Sequence, residues 1–285
     1  SLFAEGNTVW VGTANDGLNK IDLDKKETTV YHHSRIDEQT LGSDGITSIL
    51  RDSYGNLWVG TYGGGLNLFL PETQTFRRYR AHTTDENSLS SDFVIALETD
   101  TSGNLWIGTE QGGLNRFNYH TGAFSRYKHT PDNADSLSSN TAWTLHVDPS
   151  GDLWVGTRSG GVNRWKAEDI ETDRPRFIHY SENIGLSAPS VYAIESDATG
   201  SIWISHEGGL TRFHPETLVT RHYDKSHGLQ DNEFNHNAGH QDANGKLIFG
   251  GNRGYNTIDP GQLTQRSFVP PLQITDVKIL NEHIN

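Results

Sequence analysis

The chain is 285 residues long and carries 36 acidic against 23 basic side chains, a net charge of −13. So acidic a surface repels phosphate backbones, and no basic stripe answers it, which excludes nucleic acid as a partner. The absence of Cys excludes disulfides, thiolate metal sites and a Cys nucleophile, while 30 Gly, 7 Trp, 10 Tyr and 11 Phe mark a folded chain rich in turns.

In chain order the elements come as repeats. "NTVWVGT" carries Trp10, "NLWVGT" Trp58, "NLWIGT" Trp106, "DLWVGT" Trp154 and "SIWISH" Trp203, at spacings of 48, 48, 48 and 49 residues. A sixth copy, "KLIFGG", puts Ile248 in the Trp position after 45 more. An Asp stands six residues before that position at Asp52, Asp100, Asp148, Asp197 and Asp242, and a Gly follows each Asp three residues on. Such Asp-x-x-Gly stretches read as turns, because Asp bonds its own backbone two residues on and Gly supplies positive φ.

One unit, residues 94–129, reads through as strand "VIALETD", turn "DTSG", strand "NLWIGT", turn "EQGG", strand "LNRFNY", turn "HTG" and strand "AFSRYKH". Each run is short, β-branched or aromatic, and bounded by Gly, Asp or Asn; no ten-residue stretch has a helical period. Four antiparallel strands in about 48 residues, repeated radially, make a β-propeller blade. The fold class is all-β, a propeller of four-stranded antiparallel blades with six repeats recognisable. "LWVG" is apolar on both parities because blades pack face to face, and the Trp is expected to fill the space between neighbours. The first unit has only residues 1–4 for its innermost strand and the sixth a poor fourth strand, so one blade is expected to be completed from both chain ends or to lie outside the chain.

The pattern D-x-x-G-N-L-W-V-G-T-x-G-G-G-L-N-x-F, recurring through residues 1–265, resembles the two-component regulator propeller repeat. "GLQDNEFNHNAGHQDANGKLIFGGNRGYNTIDP", 228–260, resembles that family's last repeat, and "PPLQITDVKILNEHIN", 270–285, the start of the Ig-like three-Tyr domain that follows it. The resemblance implies a propeller sensor domain over 1–268. It makes 269–285 the first strand of a truncated Ig-like domain or a closing strand of the propeller. It also implies a periplasmic location, as the extracytoplasmic part of an inner-membrane hybrid histidine kinase or diguanylate cyclase. The expected partners are a neighbouring propeller, the Ig-like domain and, in the full-length receptor, a second copy. The family usually closes seven blades, so six copies depart from it. No catalytic residues come with it, and no cofactor is expected.

Chemistry is then sought where the repeat breaks. The glycines of "GTYGGG" are followed by a strand and not by Lys-Ser/Thr and a helix, so they form no phosphate loop. His236 and His240 lie about 13 Å apart on a strand, too far for one metal, and the acidic stretch "DGLNKIDLDKK" lacks a terminal Glu for calcium; no metal site is expected. The longest cationic cluster, Arg77, Arg78 and Arg80, is ordinary for an exposed strand.

The turns between the second and third strands differ from blade to blade and offer Tyr62, Glu110, Arg158, His206, Glu207 and Arg253. Eleven residues before the Trp position come Thr47, Ile95, Trp143, Tyr192 and Asn237, which puts Trp143 and Tyr192 at the central mouth. Aromatic faces with an Arg and acids grip a sugar by stacking on its apolar face and bonding its hydroxyls. The candidate ligand site is therefore Tyr62, Glu110, Trp143, Arg158, Tyr192, His206, Glu207 and Arg253, for an oligosaccharide or other small molecule. The bland alternative is that both aromatics fill space between blades. The competing functional classes are a scaffold propeller that binds only proteins and a propeller glycosidase or lyase.

Overall fold

A computed structural model describes residues 1–186 and 188–263, with two short strands, Lys278–Ile279 and Glu282–His283, beyond them. Six antiparallel sheets are arranged around a common channel, five of four strands and the sixth of three among the described residues. The blades span residues 2–31, 46–79, 94–127, 142–180, 191–223 and 234–258, one sequence repeat each. The six-repeat propeller read from the sequence is the fold. The first blade takes its inner strand from its own repeat, since Leu2–Glu5 pairs with Thr8–Gly12 in the register Phe3↔Trp10; it is not completed from the far end of the chain. The expected boundary at 268/269 lies outside the described residues.

The blades stack through one recurring contact. Trp58, fully buried, packs with Leu66 on Leu105, Ile107 and Phe117 of the next blade. Trp10, Trp106, Trp154 and Trp203 meet the following blades in the same way. Each such apolar side chain stabilises the fold by roughly 1.5–3 kcal/mol when taken out of water. In the second to fourth blades the middle strand is buried along its whole length, which is why its apolar residues fall on both parities.

The outward faces of the end blades are different. Tyr255 of the sixth blade is 70% exposed at the position where Leu66 and Leu114 are 0% exposed. The only helix of the described propeller residues longer than one turn of 3₁₀, Ala167–Glu171, is inserted between the outer strands of the fourth blade.

The long connections between blades are ordered by their repeated polar residues. The Asn67 Oδ1, buried in the second blade, accepts from Gly42 N at 2.8 Å, and Asn115 and Asn163 hold Ser90 N and Ser138 N in the same way. Leu89 and Leu137, the Leu of each "SLSS", are fully buried.

Candidate functional site

The inner strands begin at the face that carries the turns between second and third strands. On that face the fold assembles side chains from four blades. Tyr62 stacks edge-on to Phe93 with ring centroids 4.7 Å apart. The Glu110 carboxylate lies against the Tyr62 hydroxyl and raises its pKa, with Arg158 opposing. Arg158 Nη1 stands 3.5 Å from Glu110 Oε1, and its guanidinium lies 5.4 Å from the Trp143 ring centroid. Trp143 and Tyr192 are stacked, 6.0 Å apart and 28° off parallel. Burial, then the carboxylates of Glu207 and Glu233, raise the Tyr192 hydroxyl. Six of the eight sequence-derived residues thus stand in one run across the mouth: Tyr62, Glu110, Arg158, Trp143, Tyr192 and Glu207.

The other two are placed otherwise. His206 is 0% exposed. It occupies the strand position held by Thr61, Thr109 and Thr157 in the preceding blades, and its Nε2 bonds Thr211 Oγ1 at 2.8 Å where those blades use Asn67-type residues. Burial lowers its pKa to about 4, with His222 adding to the shift, so the ring is neutral and structural. Arg253 is exposed on the sixth blade but is held by Asp231, Nε to Oδ2 3.0 Å.

Beneath the mouth the channel is bridged. The inner strand Phe234–Gln241 of the sixth blade slips register between Phe234 and Gly239, and Asn237 takes φ 53° within this bulge. A bulge re-aims side chains by bending its strand. Here it sends His236 Nε2 to Trp143 O at 2.7 Å and Asn237 Nδ2 to Ile95 O at 3.1 Å. The mouth is therefore floored by two hydrogen bonds that join three blades.

Below that floor lies a cavity of about 510 Å³ walled by the inner strands. One repeat position in it, two residues before each Asp, reads Leu50, Glu98, His146, Glu195 and His240. Leu50 shows that an apolar side chain fits there; the next four blades carry titratable groups instead. Burial pushes Glu98 up to about 7 and Glu195, with Glu98 nearby, up to about 8. Burial pulls His146 down to about 4. His146 Nδ1 stands 4.0 Å from Glu195 Oε2 and its Nε2 bonds Ser196 Oγ at 2.9 Å. The sequence signal was available, since this position breaks the repeat as plainly as the mouth does. Among the described residues no three His, Asp or Glu are grouped closely enough to hold a metal ion.

The comparisons agree with the architecture. The family model described as "Two component regulator propeller" matches residues 40–63, 88–111 and 136–159. Each match runs from the end of one connection, through an inner strand and the Trp strand, to the mouth turn. A curated protein of Formosa agariphila, histidine kinase P4, is 31% identical over 100 residues, which are 35% of this chain and 7% of that protein. Among solved structures, an extracellular domain described as part of a hybrid two-component system of B. thetaiotaomicron aligns over 100% of this chain and 43% of its own, with 20% identity and a TM-score of 0.61. PorZ, a surface component of the type-IX secretion system of Porphyromonas gingivalis, aligns over 90% of this chain and 38% of its own at 18% identity and a TM-score of 0.66. Streptogramin B lyase aligns over 90% and 78% at 16% identity and a TM-score of 0.64. At these identities the solved structures share the propeller fold, whatever each of them does. The chain spans less than half the length of the first two. In those three repeats the Trp strand, the mouth turn and the end of the connection are similar to the two-component regulator propeller repeat.

Proposed function

We propose that this chain is the extracytoplasmic, ligand-perceiving domain of a bacterial two-component receptor, and that the aromatic mouth takes a carbohydrate or similar small polar nutrient. The reading rests on one observation. Tyr62, Glu110, Arg158, Trp143 and Tyr192 come from positions that the repeat leaves free, yet they touch in sequence across four blades. Of the five only Tyr192 also packs against the core between two blades. Stacked rings beside a guanidinium and carboxylates present an apolar face and hydroxyl partners together, which is what a sugar ring requires. The likeness of one segment to a histidine kinase and of the fold to an extracellular receptor domain supports the receptor setting. The mechanism follows from the setting: the ligand biases a receptor dimer, and an Ig-like neighbour passes the bias to the membrane.

Calorimetry of the domain against a panel of oligosaccharides and metabolites tests this, together with Trp143→Ala in the whole receptor. Heat from one ligand, lost in the variant along with the signalling response, is the expected result. A panel without heat and a variant with intact signalling would remove the reading.

A second reading is favoured by the floor under the mouth. Because His236 and Asn237 bridge the channel, the aromatic run is a surface and not a deep pocket. A flat aromatic surface with exposed charges also suits a protein partner. Loss of a protein association in Trp143→Ala, without ligand heat in the wild type, would select it. A propeller enzyme would instead need turnover that disappears in Glu195→Gln, because the acid and base groups converge in the channel.

A further inference from the structure

The outer edge of the second blade carries charge opposite to that of the molecule as a whole. The strand Thr75–Tyr79 and the connection preceding this blade enclose a cavity of about 880 Å³. Arg35, Arg77, Arg78 and Arg80 line it, with Glu38 as its one lining carboxylate. In a chain of net charge −13, four guanidinia around one cavity are not what average composition supplies.

The repeat accounts for one of them. Arg78 donates to the carbonyls of Thr40, Ser34 and Asp37 and to Thr40 Oγ1. Arg126 makes the same clamp in the third blade, to Ser88, Asp85 and Leu89. This is a structural arginine that ties a connection to its blade. Arg35 and Arg77 have no such duty: the third-blade counterparts are Thr83 and Ser125. Neither has a hydrogen-bond or ion-pair partner among the described residues, and Arg80 makes only a 3.4 Å contact to Gly42 O. The corresponding cavity of the third blade is smaller, about 380 Å³, and carries Asp85 against Arg78 and Arg80.

Charge on an outer strand also blunts edge-to-edge association. That purpose is served by charges pointing into solvent and does not call for a cavity or for an Arg contributed by the facing connection. Crowding of cations is evident within the site: burial, and then the charge of Arg80, lower the pKa of Arg78 although Glu38 and Asp37 act in the opposite sense.

We propose that this cavity is a binding site for a small organic ligand bearing two or more oxyanion groups, with Arg35 and Arg80 as the guanidinia that meet them and Arg78 as the clamped floor. Guanidinium forks match carboxylate, sulfate and phosphate oxygens in paired hydrogen bonds. The cavity is too large for one inorganic ion, so the anionic groups belong to a larger molecule. The site is built from an outer strand and a connection, the mouth from inner strands and the turns between second and third strands, and it stands or falls independently of the sensor reading.

The test is titration of the domain with citrate, fructose 1,6-bisphosphate and, as the single-anion control expected to bind more weakly than either, inorganic sulfate, at about 0.02 M ionic strength, where surface charges are weakly screened. Arg35→Glu/Arg80→Glu is compared with wild type and with Arg221→Glu, which changes the fifth-blade counterpart of Arg77. Citrate or the phosphate ester is expected to bind, and which of the two binds more tightly identifies the oxyanion. Affinity should fall about tenfold or more in the double variant, as the loss of two charge-assisted contacts implies, and remain within about twofold in Arg221→Glu. Amide shifts of the wild type should change in residues 33–42 and 75–82, a readout that holds even if the double variant does not fold. No binding by either organic anion, equal loss in Arg221→Glu, or shifts spread over the whole surface would each overturn the site.

Discussion

The indole N–H of Trp106 donates to Asp100 Oδ2 at 2.9 Å, while Asp100 Oδ1 accepts the backbone N–H groups of Ser102 and Asn104 at 3.0 and 2.9 Å. One carboxylate thus closes a turn and pins the aromatic that fills the space between two blades. Asp52–Trp58, Asp148–Trp154 and Asp197–Trp203 repeat the arrangement. Asp100→Asn can satisfy only one side, because its amide N–H would face the indole N–H or the turn amides. The expected cost is about 1–3 kcal/mol, the penalty of a buried donor left without an acceptor. Urea unfolding measures it. With Trp106→Phe as a second substitution the two losses should be clearly less than additive; additive losses would show that the pair does not act as a unit.

Gly64 gives a sharper expectation. A Cβ there would lie 2.2 Å from the carbonyl carbon of Gly42, and a Cβ on Gly42 would lie 2.0 Å from Gly64 O. The obstacle is backbone, which cannot rotate away. Gly160, at the same place in the fourth blade, meets the Ser138 side chain first, at 2.4 and 2.7 Å, and backbone only at 2.9 Å. Gly64→Ala should therefore lower the thermal midpoint more than Gly160→Ala. The overpacking cost is about 1–3 kcal/mol or more. A thermal scan in which the two variants melt together would contradict this.

The buried channel groups set a pH dependence. Glu98 and Glu195 have pKa values raised from 4.5 to about 7 and about 8, so the folded state holds protons that the unfolded state releases. Their contribution is fully present below pH 4.5 and is lost as pH rises toward 8. His146 is lowered from 6.5 to about 4, so its burial costs stability only as pH falls below 6.5. Between pH 6.5 and 8 the glutamates lower the unfolding free energy as pH rises, by up to about 1.4 kcal/mol per pH unit for each carboxyl held protonated, while the Ser1 ammonium, its pKa lowered by burial, acts in the opposite sense. Denaturation curves across this range should flatten in Glu98→Gln/Glu195→Gln. A slope unchanged in the double variant would mean that other groups carry it.

At the mouth, Arg158→Ala removes the guanidinium that joins Glu110 to the Trp143 ring. The side chain is 59% exposed, so its loss should leave stability within about 0.5 kcal/mol. Binding of any ligand found by calorimetry should weaken by roughly 1–2 kcal/mol, as expected for an Arg at the centre of a small site. A stability loss with unchanged affinity would assign Arg158 to the scaffold.

The blades were legible because their physics is repetitive. An Asp that must close a turn and an indole that must fill an interface recur at one spacing, and six copies leave little freedom in topology. The mouth residues were legible for the converse reason, as departures from that spacing. His206 reads as a mouth residue when "HEGG" is taken as the turn; aligned on the buried Thr position, it is the partner of Thr211, and both differ together in one blade. The channel groups lie eight residues before the Trp position, outside the turns and strand starts where departures from the repeat are sought. The bulge at Phe234–Gly239 was not legible at all: nothing in "FNHNAG" announces that Asn237 turns the backbone to positive φ, since that conformation is held by acceptors on the third and fourth blades.

That bulge acts as a tie rod. Around the ring, Trp143 in the fourth blade reaches the sixth only through the fifth. Across the ring, its carbonyl is bonded directly to His236, and the two rings meet at 5.2 Å. A shift of Trp143 is delivered to the last inner strand by this chord as well as by the arc through Tyr192. The blade most distant in the chain from the first is thus the one in shortest mechanical reach of the mouth.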